Sequence, residues 1–140
     1  MASAAKSGQG SLLKIGDGGA TETFATIGEV LPIKGPNIKN AFEDVTSHDS
    51  PNGLEEFIAT FTTLDSIDFE CNYVPTNVAQ AMLKTKALDR SIANFTIEPA
   101  GWNVTYEFSA FVETWKLTLP VKGAQKLQIS LKPSGVLTET

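Results

Sequence analysis

Apolar and polar positions alternate most regularly between residues 66 and 73. Ile67, Phe69, Cys71 and Tyr73 hold one phase, and Ser66, Asp68, Glu70 and Asn72 hold the other. A period of two places one set on a packed face and the other in water, which predicts a half-buried strand. The same rhythm returns over 125–132, where Gln125, Leu127, Ile129 and Leu131 alternate with lysines and polar residues until Pro133 ends the strand. Strands are also predicted over 92–98 and 105–119, with turns at 99–101 and 122–123, and the last two strands form a hairpin. Within 105–119 the apolar phase changes. Tyr106, Phe108, Ala110 and Val112 hold one register, and Phe111, Trp115, Leu117 and Leu119 the other, so a bulge or corner is expected.

Nearer the N-terminus, Leu12, Leu13 and Ile15 predict a short strand closed by the glycine-rich turn 16–19. Residues 23–33 predict one long strand with Ala25, Ile27, Leu31 and Ile33 on one face and Phe24 and Val30 on the other. Residues 55–61 fit either a strand or a helical turn. A single amphipathic helix is expected at about 77–88, with Asn77 as N-cap and Gln80 at capping-box spacing. Val78, Ala79, Met82, Leu83 and Ala87 form its apolar face. The pattern is therefore mainly β with one α-helix.

One stretch resists this scheme. Residues 34–53 are polar, have no period of their own and join two strand-like segments, far longer than the roughly 4–6 residues of an ordinary connection. A long loop is expected here. It carries Ile38, Phe42 and Val45, which a solvated linker does not need, so these three are expected to anchor the loop on another surface.

Composition narrows the function classes. With 140 residues, 41% hydrophobic and 19% charged, the chain has the size and content of one domain able to bury its own core. We expect a flexible N-terminal arm at 1–10, the domain at 11–135 and a C-terminal tail at 136–140. The formal net charge of -5 and the absence of a Lys/Arg cluster argue against binding nucleic acid by charge. The single cysteine, Cys71, falls on the apolar phase of its strand and is assigned to the core. No secretory leader and no bilayer-length apolar run are recognisable, and no membrane partner is expected.

Catalytic residue types concentrate only at 43–50, where Glu43, Asp44, Thr46, Ser47, His48, Asp49 and Ser50 stand close together. Neighbouring side chains on one loop are seldom held in catalytic geometry, and the lone His48 excludes a multi-histidine metal site within one chain. Asp44, Thr46, Ser47, Asp49 and Ser50 are instead expected to hydrogen-bond local backbone and shape a turn. No catalytic residue, metal ligand or cofactor is assigned. Asp68 and Glu70 lie two apart on the wet face of their strand, where solvation explains them better than a glycosidase pair does. Trp102 and Trp115 leave a carbohydrate-binding β-sandwich as the alternative, and a small hydrolase built on Ser47, His48 and Asp49 comes third.

Four segments in order, 12–18 (LLKIGDG), 24–30 (FATIGEV), 44–50 (DVTSHDS) and 127–135 (LQISLKPSG), make the chain resemble the major tail tube proteins of long, non-contractile-tailed bacteriophages. The resemblance extends to related gene-transfer particles, and secretion-system tubes are related to that family. Members often continue after the third segment with an aromatic residue and Arg-Glu-Phe-Ile, where this chain has Leu54, Glu55, Glu56, Phe57 and Ile58. The resemblance implies a two-sheet β-sandwich or barrel with one flanking α-helix, in a non-enzymatic structural protein of the phage tail that assembles in the host cytoplasm as six-fold rings stacked into a hollow tube. It implies that DNA passes through the lumen without specific binding, and that tape measure, tail terminator and tail tip proteins are partners. The long loop and the N-terminal arm would reach neighbouring subunits or rings, making Ile38, Phe42, Asp44, Val45, Thr46, Ser47, His48 and Asp49 inter-subunit candidates. Asp68 and Glu70 are the candidates to face the lumen.

Overall fold

The computed structural model of the protein describes residues 4–19, 21–49 and 51–140. Ten strands and one α-helix follow in the order β1 (Leu12–Gly16), β2 (Phe24–Thr26), β3 (Val30–Lys34), β4 (Asn37–Asp44), β5 (Phe57–Asp65), β6 (Ile67–Asn72), α1 (Val78–Asp89), β7 (Ile92–Glu98), β8 (Tyr106–Thr118), β9 (Lys126–Pro133) and β10 (Thr138–Glu139). The expected mainly β architecture with one helix is present, in two very unequal sheets. Eight strands form one antiparallel sheet in the order β2-β1-β7-β8-β9-β6-β3, with β10 added beside β8, while β4 and β5 pair only with each other.

The large sheet curls round toward closure. Its outermost strands, β2 and β3, are consecutive in sequence, and the turn between them touches both ends of the strand order. The Ile27 amide donates to the Leu13 carbonyl of β1, and the Asn72 amide at the end of β6 donates to the Glu29 carbonyl. This turn corrects the expectation of one continuous strand over 23–33. Glu29 adopts φ 52, which breaks the extended path, and Gly28 lies where a Cβ would come within 2.9 Å of the Asn77 side-chain nitrogen.

Inward-facing residues of the curled sheet make the core. Leu13 and Ile15 of β1, Ile67 of β6, Phe95 of β7 and Leu127 and Leu131 of β9 are all fully enclosed. Phe95 and Phe108 stack with centroids 5.8 Å apart. Cys71 is buried as expected, and burial, with the nearby Glu70 and Glu29 carboxylates adding to it, pushes its thiol up to about 11. The phase change in β8 is a bulge, because its pairing with β9 shifts register between Val112 and Thr114.

Helix α1 closes the remaining opening of the core with Ala79 and Leu83. Asn77 caps it as expected, its side-chain oxygen accepting the Gln80 amide at 3.0 Å. The amphipathic pattern holds only partly. Val78, assigned to the apolar face, is 66% exposed, whereas the polar Gln80 is buried. Gln80 is enclosed because its amide serves three backbone groups. It accepts from the Val74 N–H at 2.9 Å and donates to the carbonyls of Asn72 at 3.0 Å and Gly28 at 3.1 Å. One side chain thereby ties the helix start to β6 and to the β2–β3 turn.

Candidate functional site: a projecting ribbon

The segment expected as a long loop over 34–53 is half of a two-stranded ribbon. Residues 37–44 are strand β4, a short 3-10 turn follows at Pro51–Gly53, and 57–65 is strand β5, which settles the undecided segment as β. The pairing runs from Asn37↔Asp65 at the base to Asp44↔Phe57 near the tip, with a register shift between Ala41 and Phe42. β-branched and aromatic residues favour this pairing on both sides: Ile38 meets Leu64, Asn40 meets Thr62 and Ala41 meets Phe61. The Thr62 hydroxyl donates to the Asn40 side-chain oxygen at 2.6 Å.

The tip is shaped by the local hydrogen bonds expected of Asx and Ser/Thr turns. The Thr46 amide donates to the Asp44 carboxylate at 2.8 Å, the Asp49 amide to the Ser47 hydroxyl at 3.3 Å, and the Glu56 amide to the Thr46 hydroxyl at 2.7 Å. Thr46 thus clips the two arms together, and its bonds hold the Asp44 carboxyl below its usual pKa. His48 is exposed on the same turn. Ser50, also assigned to the turn, lies outside the described residues.

Every residue of β4 is exposed, and in β5 only Leu64 is partly covered. The structure nevertheless gathers seven large apolar side chains here, each between 41% and 73% exposed: Ile38, Phe42, Val45, Leu54, Phe57, Ile58 and Phe61. Sequence reasoning singled out the first three and missed the last four. The aromatic and β-branched content of 57–63 is the signal that could have found them. An exposed apolar patch of this extent marks an interaction surface.

The other candidate residues sit elsewhere. Asp68 and Glu70 are on the outward face of β6, bordering a groove of about 480 Å³ shared with Lys34, Lys116 and Gln128. Asp68 accepts the Ser130 hydroxyl at 2.7 Å, and Glu70 lies 3.6 Å from the Lys126 ammonium, so each carboxylate is engaged by β9. Trp102 is 52% exposed and Trp115 is partly buried, and each has a lysine beside its ring. The Lys6 ammonium covers the Trp102 ring at 4.3 Å and also donates to the Gly101 carbonyl, and Lys84 stands 5.8 Å from the Trp115 ring centre. No group of three or more His, Cys, Asp and Glu suited to a metal occurs among the described residues.

The sequence profile of the phage tail tube protein family matches residues 5–139. The chain belongs to that family. Among solved structures, the tail of an empty gene transfer agent particle with C6 symmetry superposes with a TM-score of 0.81 at 17% identity, covering 97% of this chain and 99% of that one. A chain of the native gene transfer agent virion gives 0.80 at 16% identity with the same coverage. The SPP1 tail tube gives 0.74 at 14% identity, covering 95% of this chain and 77% of that one. No curated protein matches. Family membership makes the chain a structural component of a phage tail and not an enzyme. The hydrogen-bonded turn at 44–49 is thus part of a tail tube protein and not a hydrolytic site.

Proposed function

We propose that copies of this chain close into six-membered rings and that the rings stack into a hollow tube, with the β4–β5 ribbon as the arm joining one copy to another. The observation that carries this reading is the ribbon itself, a paired and shaped element that buries almost nothing within its own chain. A free two-stranded ribbon is marginal in water, so an element with this much exposed apolar surface gains stability when another surface covers it. Ile38, Phe42 and Val45 act as anchors, while Asp44, Thr46, Ser47, His48 and Asp49 hold the tip in shape. Ring formation is also supported by the C6 symmetry of the gene transfer agent tail whose fold this chain shares.

The tube carries DNA from particle to host without binding it specifically, and Asp68 and Glu70 face the lumen. Asp68 and Glu70 offset much of the charge of the neighbouring Lys34, Lys116 and Lys126, which weakens the hold of that face on phosphate. The tape measure protein occupies the lumen before ejection, the terminator and tip proteins complete the two ends, and assembly takes place in the host cytoplasm. Electron microscopy of the purified chain, alone and with its tail-assembly partners, tests this. Hollow six-fold tubes are expected, and monomers under both conditions would exclude the reading. In Phe42→Ala/Val45→Ala, tube yield falls while the monomer melts within a few degrees of the natural chain. A large loss of monomer stability would make these residues ordinary core.

A further inference from the structure

We propose that the β4–β5 ribbon of one copy docks on the β8–β9 hairpin of a second copy, in a head-to-tail contact held by opposite charge around an apolar centre. This rests on reading the ribbon as an assembly arm and adds the surface that receives it.

The topology puts the two hairpins at opposite ends of the sheet. At one end Ile67 pairs with Leu131 and Leu131 with Val112, and the ribbon leaves the sheet there, because Asp65 and Asn37 form its base. At the other end Asn72 pairs with Lys126 and Lys126 with Thr118, and the loop 119–125 closes the β8–β9 hairpin there. Six residues of β6 separate the two ends, roughly 20 Å of strand.

The two hairpins carry opposite charge. Residues 43–56 at the ribbon tip include Glu43, Asp44, Asp49, Glu55 and Glu56 and no lysine or arginine. Residues 114–138 include Lys116, Lys122, Lys126 and Lys132 and no aspartate or glutamate. Lys116, Lys122 and Lys126 lie toward the loop end. Lys126 is partly answered by Glu70, Glu29 also lies at that end beside Asn72, and Lys116 lines the groove that holds Asp68 and Glu70, so Lys122 in the loop carries most of the attraction. Apolar groups complement the charges: Leu119 and Val121 in the loop are 61% and 102% exposed, opposite in role to Phe42, Val45 and Phe57 on the ribbon. A donor at one end and an acceptor at the other make a heterologous contact, which repeats without closing when copies are added along one axis.

Charge exchange tests the pairing, with the free concentration left after pelleting assembled tubes as the readout. Glu43→Lys/Glu55→Lys/Glu56→Lys and, separately, Lys122→Glu each raise that concentration about threefold or more, the size expected from losing rim charge pairs. One chain carrying both sets recovers assembly. On the natural chain, which involves no folding question, raising salt from low ionic strength to about 0.5 M shifts the free concentration the same way by screening. The docking surface is wrong if Lys122→Glu assembles like the natural chain, if the combined chain does not recover, or if salt has no effect. Phe42→Ser/Phe61→Ser separates the two readings. Failure of assembly there, with normal assembly of the lysine variant, keeps the ribbon as the arm and moves its acceptor elsewhere. Normal assembly there removes the ribbon reading itself.

Discussion

Strands β6 and β4 have similar lengths, yet they are built on different principles. β6 alternates: Ile67, Phe69 and Cys71 point into the core, and Asp68, Glu70 and Asn72 point out. β4 has no inside, and all eight of its residues are exposed. A strand with one packed face must alternate, since a slip of one residue would turn every apolar side chain into water. A strand whose faces await another copy is free of that rule. Its apolar residues follow the shape of a surface that the single chain does not contain.

Experiments that separate these two kinds of strand form a descending series. The largest effect on the monomer is expected from Phe95→Ala, which empties the centre of the sheet beside Phe108 and should cost about 3–5 kcal/mol. Thermal melting would show a drop of more than about 10 °C. Next comes Gln80→Leu, which leaves the Val74 N–H and the Asn72 and Gly28 carbonyls unpaired and should cost about 1–3 kcal/mol in the same assay. Asn77→Ala removes the helix cap and should cost about 1 kcal/mol. Phe61→Ser, at a residue 73% exposed, should leave the melt unchanged and lower tube yield. A ribbon substitution that destabilises the monomer as Phe95→Ala does would erase the distinction between the strands.

The smallest effect is local and depends on pH. The Asp44 carboxyl is held below the usual aspartate range first by the Thr46 hydroxyl and then by the Thr46 amide. A depressed carboxyl stabilises the tip at pH values above its unfolded pKa, and that contribution is lost as pH falls through the folded value. Protection of the Thr46 amide against hydrogen exchange should therefore hold at neutral pH and fall in acid below about pH 4. In Asp44→Asn, the fall should no longer track pH in that window.

Legibility in the sequence followed the same division. β6, β7, β8 and β9 were readable because a buried face imposes alternation, and the β8 bulge showed as a change of phase between Val112 and Trp115. The break between β2 and β3 was hidden because Ala25, Ile27, Leu31 and Ile33 keep apparent phase across a turn whose cause is a positive φ at Glu29. Gln80 was hidden because its burial depends on backbone groups that are brought beside it only by the fold. The ribbon was half legible. Ile38, Phe42 and Val45 were conspicuous in a polar setting, but the strand pairing that joins them to Phe57, Ile58 and Phe61 has no one-sided pattern.

The enclosed thiol of Cys71 has a practical consequence for labelling chemistry. Alkylating reagents attack the thiolate, and a buried thiol whose pKa stands near 11 presents almost none at neutral pH. The natural chain is therefore nearly silent to maleimides. A cysteine installed at Val136, which is exposed and outside both hairpins, would be the reactive thiol of each subunit, and a fluorophore there would report from a single known position along a tube.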